Sequence, residues 1–293
     1  MSNLERNDNK TLYSYSDSSH QEMAKSIAQT LYRFDRIADQ RLSQLEDLNE
    51  EHVKLFWEQG YLVVDHVYRS DEIETAIAAI MDVVYGISTG SKVQFVKSKE
   101  LLVTNHDKEM AARKIYEYID HEPRLRNLAE HPELIRFISR LLNEKPKIVQ
   151  DMAILKPPSG GAEKPWHQDM AYGALAFDQS VIGVWTALDP AELDNGCMHV
   201  IPYSHRNGGV PHYAERDWQI CDRNVQVDQD VAVPLKPGAA LFFSGLLHHG
   251  SPPNFSDKRR RALQIHYAPE SATKLSAKEY KQIFTNKMTN AQC

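Results

Sequence analysis

The chain has 293 residues, of which 42% are hydrophobic, so it is long enough to bury a sizeable core. Its formal net charge of -6 argues against a surface for nucleic acid or for an anionic membrane, because both favour a basic protein. No stretch approaches the roughly 18 apolar residues of a membrane span, and the first residues lack the apolar segment of a secretory signal. We therefore expect a cytoplasmic protein whose partner is a small molecule.

Three cysteines, Cys197, Cys221 and Cys293, lie at wide and unpatterned spacing. This spacing fits a reducing compartment and predicts neither a disulfide framework nor a zinc site. Residues 1–19 are polar and rich in Ser, Asn and Asp, which predicts a flexible tail. No internal repeat or linker is visible, so we expect one domain over residues 20–293. The oligomeric state stays open, and a homo-oligomer is compatible with the sequence.

The first half of the chain predicts mainly helices. Apolar residues at helical intervals from His20 to Asp47 predict an amphipathic helix on the flank of the domain, with a lid or a dimer contact as the alternative. A second helix from Asn49 ends where Gly60 supplies the C-cap, and a short strand follows over 61–65. The next predicted elements are a helix over 70–84, one or two strands over 90–104, and a helix over 133–143 that begins after Pro132.

A strand is predicted over 148–156, where two prolines stop it. Alternation along this strand separates two sets of side chains. One face carries Gln150, Met152 and Ile154, and the other carries Val149, Ala153 and Leu155. The second set is wholly apolar and is typical of a core.

The stretch 165–170, Pro-Trp-His-Gln-Asp-Met, places the imidazole of His167 and the carboxylate of Asp169 two residues apart. A buried strand is predicted soon afterwards, over 181–188. A His-x-Asp pair together with a distant histidine can hold a divalent iron on one face and leave the opposite face open. The His-x-Asp pair alone is weak evidence for a metal site, because a chance match is expected in a chain with 13 histidines. The hypothesis of a metal site therefore depends on a third ligand.

His199 and His205 are competing metal candidates, because both lie close to Cys197 in the sequence. We assign them structural roles, since 197–201 has the pattern of a plain strand and His205 follows a turn. The long loop over 206–226 is expected to select the substrate, because loops of this length are often binding loops or lids.

A third ligand is available after the strand predicted over 239–244. His248 and His249 are adjacent, so on a strand they point to opposite faces and only one of them can bind the metal. On the strand predicted over 260–268, one face is polar (Arg260, Ala262, Gln264, His266) and the other is largely apolar (Arg261, Leu263, Ile265, Tyr267). Arg260 is therefore the candidate for binding an anion, and Arg259 and Arg261 are expected in solvent. A last helix is predicted over 276–285.

Taken together, these elements resemble the phytanoyl-CoA dioxygenase family of iron(II)- and 2-oxoglutarate-dependent oxygenases. The resemblance runs from about Leu48 to Ala268. The motifs that carry it are His167-Gln168-Asp169, the strand Val184–Asp189, Asn195-Gly196-Cys197 with Ile201–His205, and His249-Gly250-Ser251 with Arg260.

The resemblance implies a cofactor site. Fe(II) would be held by His167, Asp169 and His249, the histidine that the family pattern His-Gly-Ser selects. The co-substrate would be 2-oxoglutarate, with its far carboxylate bound by Arg260 and Ser251.

Three further residues are expected around the co-substrate. Trp185 shares its strand face with two small residues that leave room beside its ring, and Met152 and Lys114 match pocket positions of the family. A core methionine and an ordinary solvated lysine are the alternatives for the latter two. The candidates for contact with the substrate are Gln150, Tyr172 and Phe177, and a core role is the alternative for the two aromatic residues.

The implied fold is mainly β with flanking helices: a double-stranded β-helix, or cupin-like jelly roll, with its core over about 90–268. The implied activity is a dioxygenase that uses O2 to hydroxylate or otherwise oxidise an aliphatic C–H bond of a small molecule, with release of succinate and CO2. Related halogenases carry a small residue in place of the carboxylate, so Asp169 favours an oxidative outcome such as hydroxylation, desaturation or ring formation. A non-catalytic jelly-roll binding protein and a metal-dependent hydrolase are the alternatives.

Overall fold

The computed structural model describes residues 18–159, 161–285 and 293, so most of the predicted tail lies outside the described residues. The helices are α1 (Ser18–Leu31), α2 (Glu50–Gln59), α3 (Ser70–Tyr85), α4 (Asn105–Ala111), α5 (Pro123–Ala129), α6 (Pro132–Leu142) and α7 (Ala277–Phe284). The strands are β1 (Arg41–Gln44), β2 (Tyr61–His66), β3 (Lys92–Phe95), β4 (Ala112–Tyr116), β5 (Pro146–Lys156), β6 (Lys164–His167), β7 (Ile182–Ala187), β8 (Met198–Ile201), β9 (His212–Ala214), β10 (Trp218–Ile220), β11 (Val231–Val233), β12 (Ala240–Ser244), β13 (His248–Ser251) and β14 (Arg260–Pro269).

Two sheets form the jelly roll. The major sheet has eight strands in the order β1-β2-β12-β7-β14-β5-β4-β3, and the minor sheet has four in the order β11-β8-β13-β6. The strand β14 lies at the centre of the major sheet, antiparallel to both β5 and β7. A small hairpin of β9 and β10 stands apart. The mainly β fold with flanking helices is therefore confirmed.

The central strands of the major sheet, β12, β7 and β14, are buried on both faces. The sheet's outer face packs against the helices, through residues such as Val184, Leu263 and Ile265. Its inner face packs against the minor sheet, and Trp185 and Ala262 belong to this second cluster. The alternation of a strand sends successive side chains to opposite faces, and the predicted division of β7 and β14 into two faces is confirmed. On β5 the prediction holds for Ala153 and Leu155, but Val149 lies at an irregularity of the ladder and packs in a separate apolar cluster.

Local signals account for the helix boundaries. The C-cap of α2 is Gly60, whose φ of 91° lies in the left-handed region that glycine tolerates best. Pro132 occupies the first turn of α6, where a backbone N–H has no acceptor within the helix, so the lack of one in proline costs no hydrogen bond. No helix among the described residues has both the length and the apolar character needed to cross a bilayer.

Several sequence predictions were wrong about secondary structure. The helix predicted over 20–47 ends at Leu31, and Arg41–Gln44 instead forms β1, which pairs parallel with β2. The region 90–104 holds one strand, β3, in agreement with the one or two strands predicted there. The loop over 206–226 contains the hairpin of β9 and β10. Because β1 and β2 are part of the major sheet, the sheet extends N-terminally beyond the core predicted from residue 90.

The structure also corrects the predictions for two arginines and two cysteines. Arg261 is largely buried and binds Asp189, with 2.7 Å between a guanidinium nitrogen and a carboxylate oxygen. Arg259 is partly buried and forms an ion pair with Glu109. Cys221 and Cys293 form a disulfide across 72 residues, and only Cys197 is free among the described cysteines. The wide spacing gave no indication of this pairing.

Candidate metal centre

Three potential metal ligands meet at one end of the minor sheet. His167 ends β6 and lies directly opposite His249 of β13, while Asp169 follows in a short 3-10 turn. The carboxylate oxygen Oδ1 of Asp169 is 3.2 Å from Nε2 of His167 and 3.4 Å from Nε2 of His249. One ligand atom from each residue lies within 4.8 Å of the others, and all three residues are buried. The structure thus brings together the predicted triad.

Both histidines present a lone pair towards this point. Nδ1 of His167 lies 2.8 Å from the carbonyl of Pro165, and Nδ1 of His249 lies 2.9 Å from the carbonyl of Leu247. A carbonyl only accepts, so Nδ1 must carry the hydrogen and Nε2 is left free to coordinate. Burial and the neighbouring His249 lower the pKa of His167 to about 4, which keeps this imidazole neutral. Nε2 of His249 is buried and has no hydrogen-bond partner in the described chain, as a vacant ligand atom requires.

The second oxygen of Asp169 is held by two residues of β14. Oδ2 accepts a hydrogen bond of 2.9 Å from the amide of Gln264 and lies 2.7 Å from Nε2 of His266. Strand alternation placed both residues on the pocket face of β14, but the sequence gave no indication of a role for them. The one available indication was that they share this face with Arg260.

Gln168, between the two ligands, is fixed by the long loop. Its backbone N–H donates to Nε2 of His212 at 2.9 Å, and its side-chain amide donates to the carbonyls of Gly208 and Leu246. Burial lowers the pKa of His212 to about 3, so its neutral ring accepts at Nε2. His212 was missed at the sequence level, because its partner is 44 residues away.

A buried cation lies in the same interior. Arg260 is 1% exposed, and none of its three guanidinium nitrogens has a hydrogen-bond partner in the described part of the chain. Its guanidinium carbon lies 5.0 Å from the ring centre of Trp185, whose indole N–H is also buried and unpartnered. Burial lowers the pKa of Arg260 to about 10. An uncompensated buried charge is costly, so this pocket fits an anionic ligand that pairs with the guanidinium.

The remaining co-substrate candidates lie on the inner face of the sheets. Ser251 ends β13 and accepts a hydrogen bond of 2.8 Å from Lys156. Met152 is opposite Gln264 in the ladder of β5 and β14. Lys114 lies on β4, and its charge acts on Asp217. Burial would raise the pKa of Asp217, but Lys164 and Lys114 together lower it.

The candidates for substrate contact separate into two groups. The ring of Tyr172 meets the ring of His167 edge-on at 5.7 Å, and Gln150 lies opposite His266 in the ladder. Phe177 instead packs in an apolar cluster with Leu175 and Val181, and Lys274 lies over its ring at 4.0 Å. Phe177 therefore has the core environment that was its alternative.

The competing histidines have partners of their own. His199 is fully buried against Asp230, with Nδ1 2.9 Å from a carboxylate oxygen. Nε2 of His205 lies 3.0 Å from the carbonyl of Trp57. Neither residue is part of the metal-ligand group found among the described residues, which agrees with the structural roles expected for them.

Comparisons with known proteins agree with this geometry. The family described as phytanoyl-CoA dioxygenase (PhyH) matches residues 56–262. The phytanoyl-CoA dioxygenase domain-containing protein 1 of Danio rerio is 26% identical over 81% of this chain and 96% of that protein. The phytanoyl-CoA dioxygenase of Arabidopsis thaliana is 24% identical over 78% of this chain and 91% of that protein.

Solved structures share the fold. SnoK, a non-heme alpha-ketoglutarate-dependent carbocyclase from nogalamycin biosynthesis, superposes with a TM-score of 0.62 at 23% identity, over 80% of this chain and 88% of that one. EvdO2 from Micromonospora carbonacea, solved with 2-oxoglutarate, gives 0.60 at 22% identity, over 78% and 94%. With the family match over most of its length and the His-Asp-His site in place, the chain belongs to the phytanoyl-CoA dioxygenase family of iron(II)- and 2-oxoglutarate-dependent oxygenases.

Proposed function

We propose that this protein hydroxylates, or otherwise oxidises, an aliphatic C–H bond of a small-molecule substrate, with release of succinate and CO2. The observation that carries the proposal is the unpaired, buried guanidinium of Arg260 beside a complete set of metal ligands. A metal-dependent hydrolase needs no such cation, and a simple binding protein needs no convergent pair of imidazole nitrogens.

Each residue of the site has a role in this proposal. His167, Asp169 and His249 would hold Fe(II), and Arg260 with Ser251 would hold the far carboxylate of 2-oxoglutarate. When bound, iron and 2-oxoglutarate would activate O2, the oxidant of both 2-oxoglutarate and a C–H bond that no side chain can attack. The protein orients these groups and excludes water, because every one of the five residues is buried.

The substrate would approach from the side of Tyr172 and Gln150. Tyr172 contacts His167, and its hydroxyl donates to the carbonyl of Trp218 at 3.1 Å. Trp218 belongs to β10 in the loop over 206–226, so this loop reaches the neighbourhood of a metal ligand. This supports the loop as a substrate-selecting element.

The first test is an anaerobic titration with Fe(II) and then 2-oxoglutarate, followed through the weak visible charge-transfer band of the chelate. We expect the band in the wild type and in His205→Ala, a histidine variant outside the site. His249→Ala should lose the band through loss of the metal ligand, and Arg260→Met should need far more 2-oxoglutarate. A screen of substrates by succinate release follows.

Two results would contradict the proposal. If the wild-type protein binds Fe(II) but shows no chelate band, 2-oxoglutarate is not its co-substrate. A band that persists unchanged in Arg260→Met would show that this arginine does not bind 2-oxoglutarate.

A further inference from the structure

A second buried cation stands beside Arg260. Lys156 ends β5 and is 4% exposed. Its ammonium donates to the hydroxyl of Ser251 at 2.8 Å, to the carbonyl of Ser251 at 3.2 Å and to the carbonyl of Pro252. An ammonium has three hydrogens, so all of them are used on the turn that follows β13.

Lys156 and Arg260 are direct partners in the ladder of β5 and β14. Residues directly opposite each other on antiparallel strands send their side chains to the same face, so two cations share one interior. Burial, and then the charge of Arg260, lower the pKa of Lys156. Among the described residues, the hydrogen-bond partners of Lys156 are neutral oxygens, and the guanidinium of Arg260 has no hydrogen-bond partner. Burial and the charge of Arg260 both disfavour a charged ammonium in the pocket by itself, and an anionic ligand beside the two side chains would offset them.

The hydrogen bond from Lys156 also decides what Ser251 can do. The hydroxyl oxygen of Ser251 accepts from the ammonium. Its own hydrogen must then point away from Lys156, where it is available to an acceptor on a ligand. Lys156 thus fixes the hydroxyl of Ser251 as a donor.

The surrounding backbone is shaped around this lysine. A Cβ on Gly161 would lie 2.5 Å from Cβ of Lys156, closer than real contacts allow. A Cβ on Gly196 would lie 3.0 Å from the ammonium, and the φ of 83° at Gly196 is itself unfavourable for other residues. Two glycines from separate loops therefore leave the space that the buried side chain occupies.

We propose that Lys156 is a positioning residue for the co-substrate: it orients the Ser251 hydroxyl towards the far carboxylate and makes the pocket dicationic. The assignment rests on the proposed function, because the far carboxylate is that of 2-oxoglutarate. Its consequence is specificity for a 2-oxo acid that carries a second carboxylate over one that ends in a methyl group.

The test measures dissociation constants by anaerobic titration of the Fe(II) protein with 2-oxoglutarate and with 2-oxovalerate, which has the same chain length without the far carboxylate. The variants are Lys156→Met, Lys156→Gln, Ser251→Ala and the Lys156→Met/Ser251→Ala double variant. Lys147→Met is the matched control, since Lys147 lies on the same strand and also donates to backbone carbonyls. Fe(II) affinity and circular dichroism show that each variant is folded.

We expect Lys156→Met to weaken 2-oxoglutarate binding by about tenfold to a hundredfold, the effect of losing a charge-assisted contact, and to leave 2-oxovalerate binding unchanged. In a protein that already carries Ser251→Ala, Lys156→Met should weaken 2-oxoglutarate binding much less, because the two residues act together. Lys156→Gln, which keeps donors but no charge, should fall between wild type and Lys156→Met.

The outcomes separate the two proposals. If wild type binds 2-oxoglutarate and Lys156→Met binds it equally well, or if the two substitutions are additive, the role of Lys156 is overturned and the proposed function stands. If wild type does not bind 2-oxoglutarate at all, both are overturned.

Discussion

The two oxygens of Asp169 have different environments, and the difference fixes how the carboxylate can bind a metal. Oδ1 faces Nε2 of His167 and of His249. Oδ2 is occupied by Gln264 and His266 on the opposite sheet. A carboxylate held through one oxygen would present the other to Fe(II) as a single ligand.

His266→Phe is expected to weaken metal binding by about 10- to 100-fold, the range seen when a residue that orients a ligand is removed. The reason is that the Asp169 carboxylate loses its shortest hydrogen bond, 2.7 Å from Nε2 of His266, and can rotate. The measurement is an anaerobic Co(II) titration followed by the visible absorption of the bound ion.

The matched control for this variant is His248→Phe. His248 is also a buried histidine, but it neighbours His249 on the opposite face of β13, and neither of its ring nitrogens has a partner in the described chain. Its Co(II) affinity should match wild type. Equal affinity in His266→Phe and His248→Phe would show that Gln264 alone orients the carboxylate.

Sequence reasoning identified the residues whose pattern is local, and missed those defined by a distant partner. The spacing of His167 and Asp169, the His-Gly-Ser of His249, and the family resemblance were enough to predict the triad. Lys156 and His212 act through residues 95 and 44 positions away, and single-sequence patterns carry no information about such pairs. Alternation placed Arg260 on the polar face of β14, but its burial could not be predicted from that pattern.

At the scale of elements, alternation predicted the faces of long strands better than periodicity predicted the ends of short ones. The apolar residues of 20–47 have helical spacing, but Leu42 belongs to β1 and Leu45 to a 3-10 turn. β1 exists because the exposed edge of β2 offers it hydrogen-bonding partners, from Arg41 opposite Val63 onwards. Because these partners lie on another strand, the tertiary structure overrides the local preference for a helix.

The connection after α1 is anchored to the minor sheet by a buried ion pair. Asp230 accepts from the backbone N–H of Arg33 at 2.6 Å and lies 2.9 Å from Nδ1 of His199 on β8. Burial would lower the pKa of His199, but the hydrogen bonds and charges of Asp230 and Cys197 together outweigh it and raise the pKa to about 9. His199 is therefore charged in the folded protein at neutral pH.

Because the pKa of His199 is higher in the folded than in the unfolded protein, its protonation stabilises the folded state. This stabilisation is complete below the pKa of the unfolded chain, about 6.5, and is lost as the pH rises through about 9. Between pH 6 and pH 9.5, wild type should lose about 3 kcal/mol of unfolding free energy beyond the loss in His199→Gln. Urea unfolding of both proteins at the two pH values measures the difference. Identical pH dependence would show that His199 is neutral when folded.

Across the whole molecule, the C-terminal segment packs behind the metal centre. The hydroxyl of Tyr280 donates to the carbonyl of Ala171 at 2.6 Å, and the indole of Trp218 donates to the same carbonyl at 2.9 Å. The ring of Phe284 meets that of His212, which holds the backbone of Gln168. Helix α7 and the loop over 206–226 thus brace the segment that carries two metal ligands.

The disulfide between Cys221 and Cys293 ties this C-terminal segment to the loop. Closing 72 residues of sequence removes conformational freedom from the unfolded chain, which gives at most about 4 kcal/mol of stabilisation. Reduction with a phosphine, or Cys293→Ser, is expected to lower the melting temperature by several degrees, about 2–4 °C for each kcal/mol lost in a chain of this size.

Cys197→Ala, which removes the free cysteine, should keep the sensitivity to reductant. Thiol titration of the denatured chain should find one free thiol before reduction and three after it. Three thiols before reduction, with a melting temperature indifferent to phosphine, would show that the chain folds without the bond and that α7 is held by its contacts with Ala171 and His212 alone.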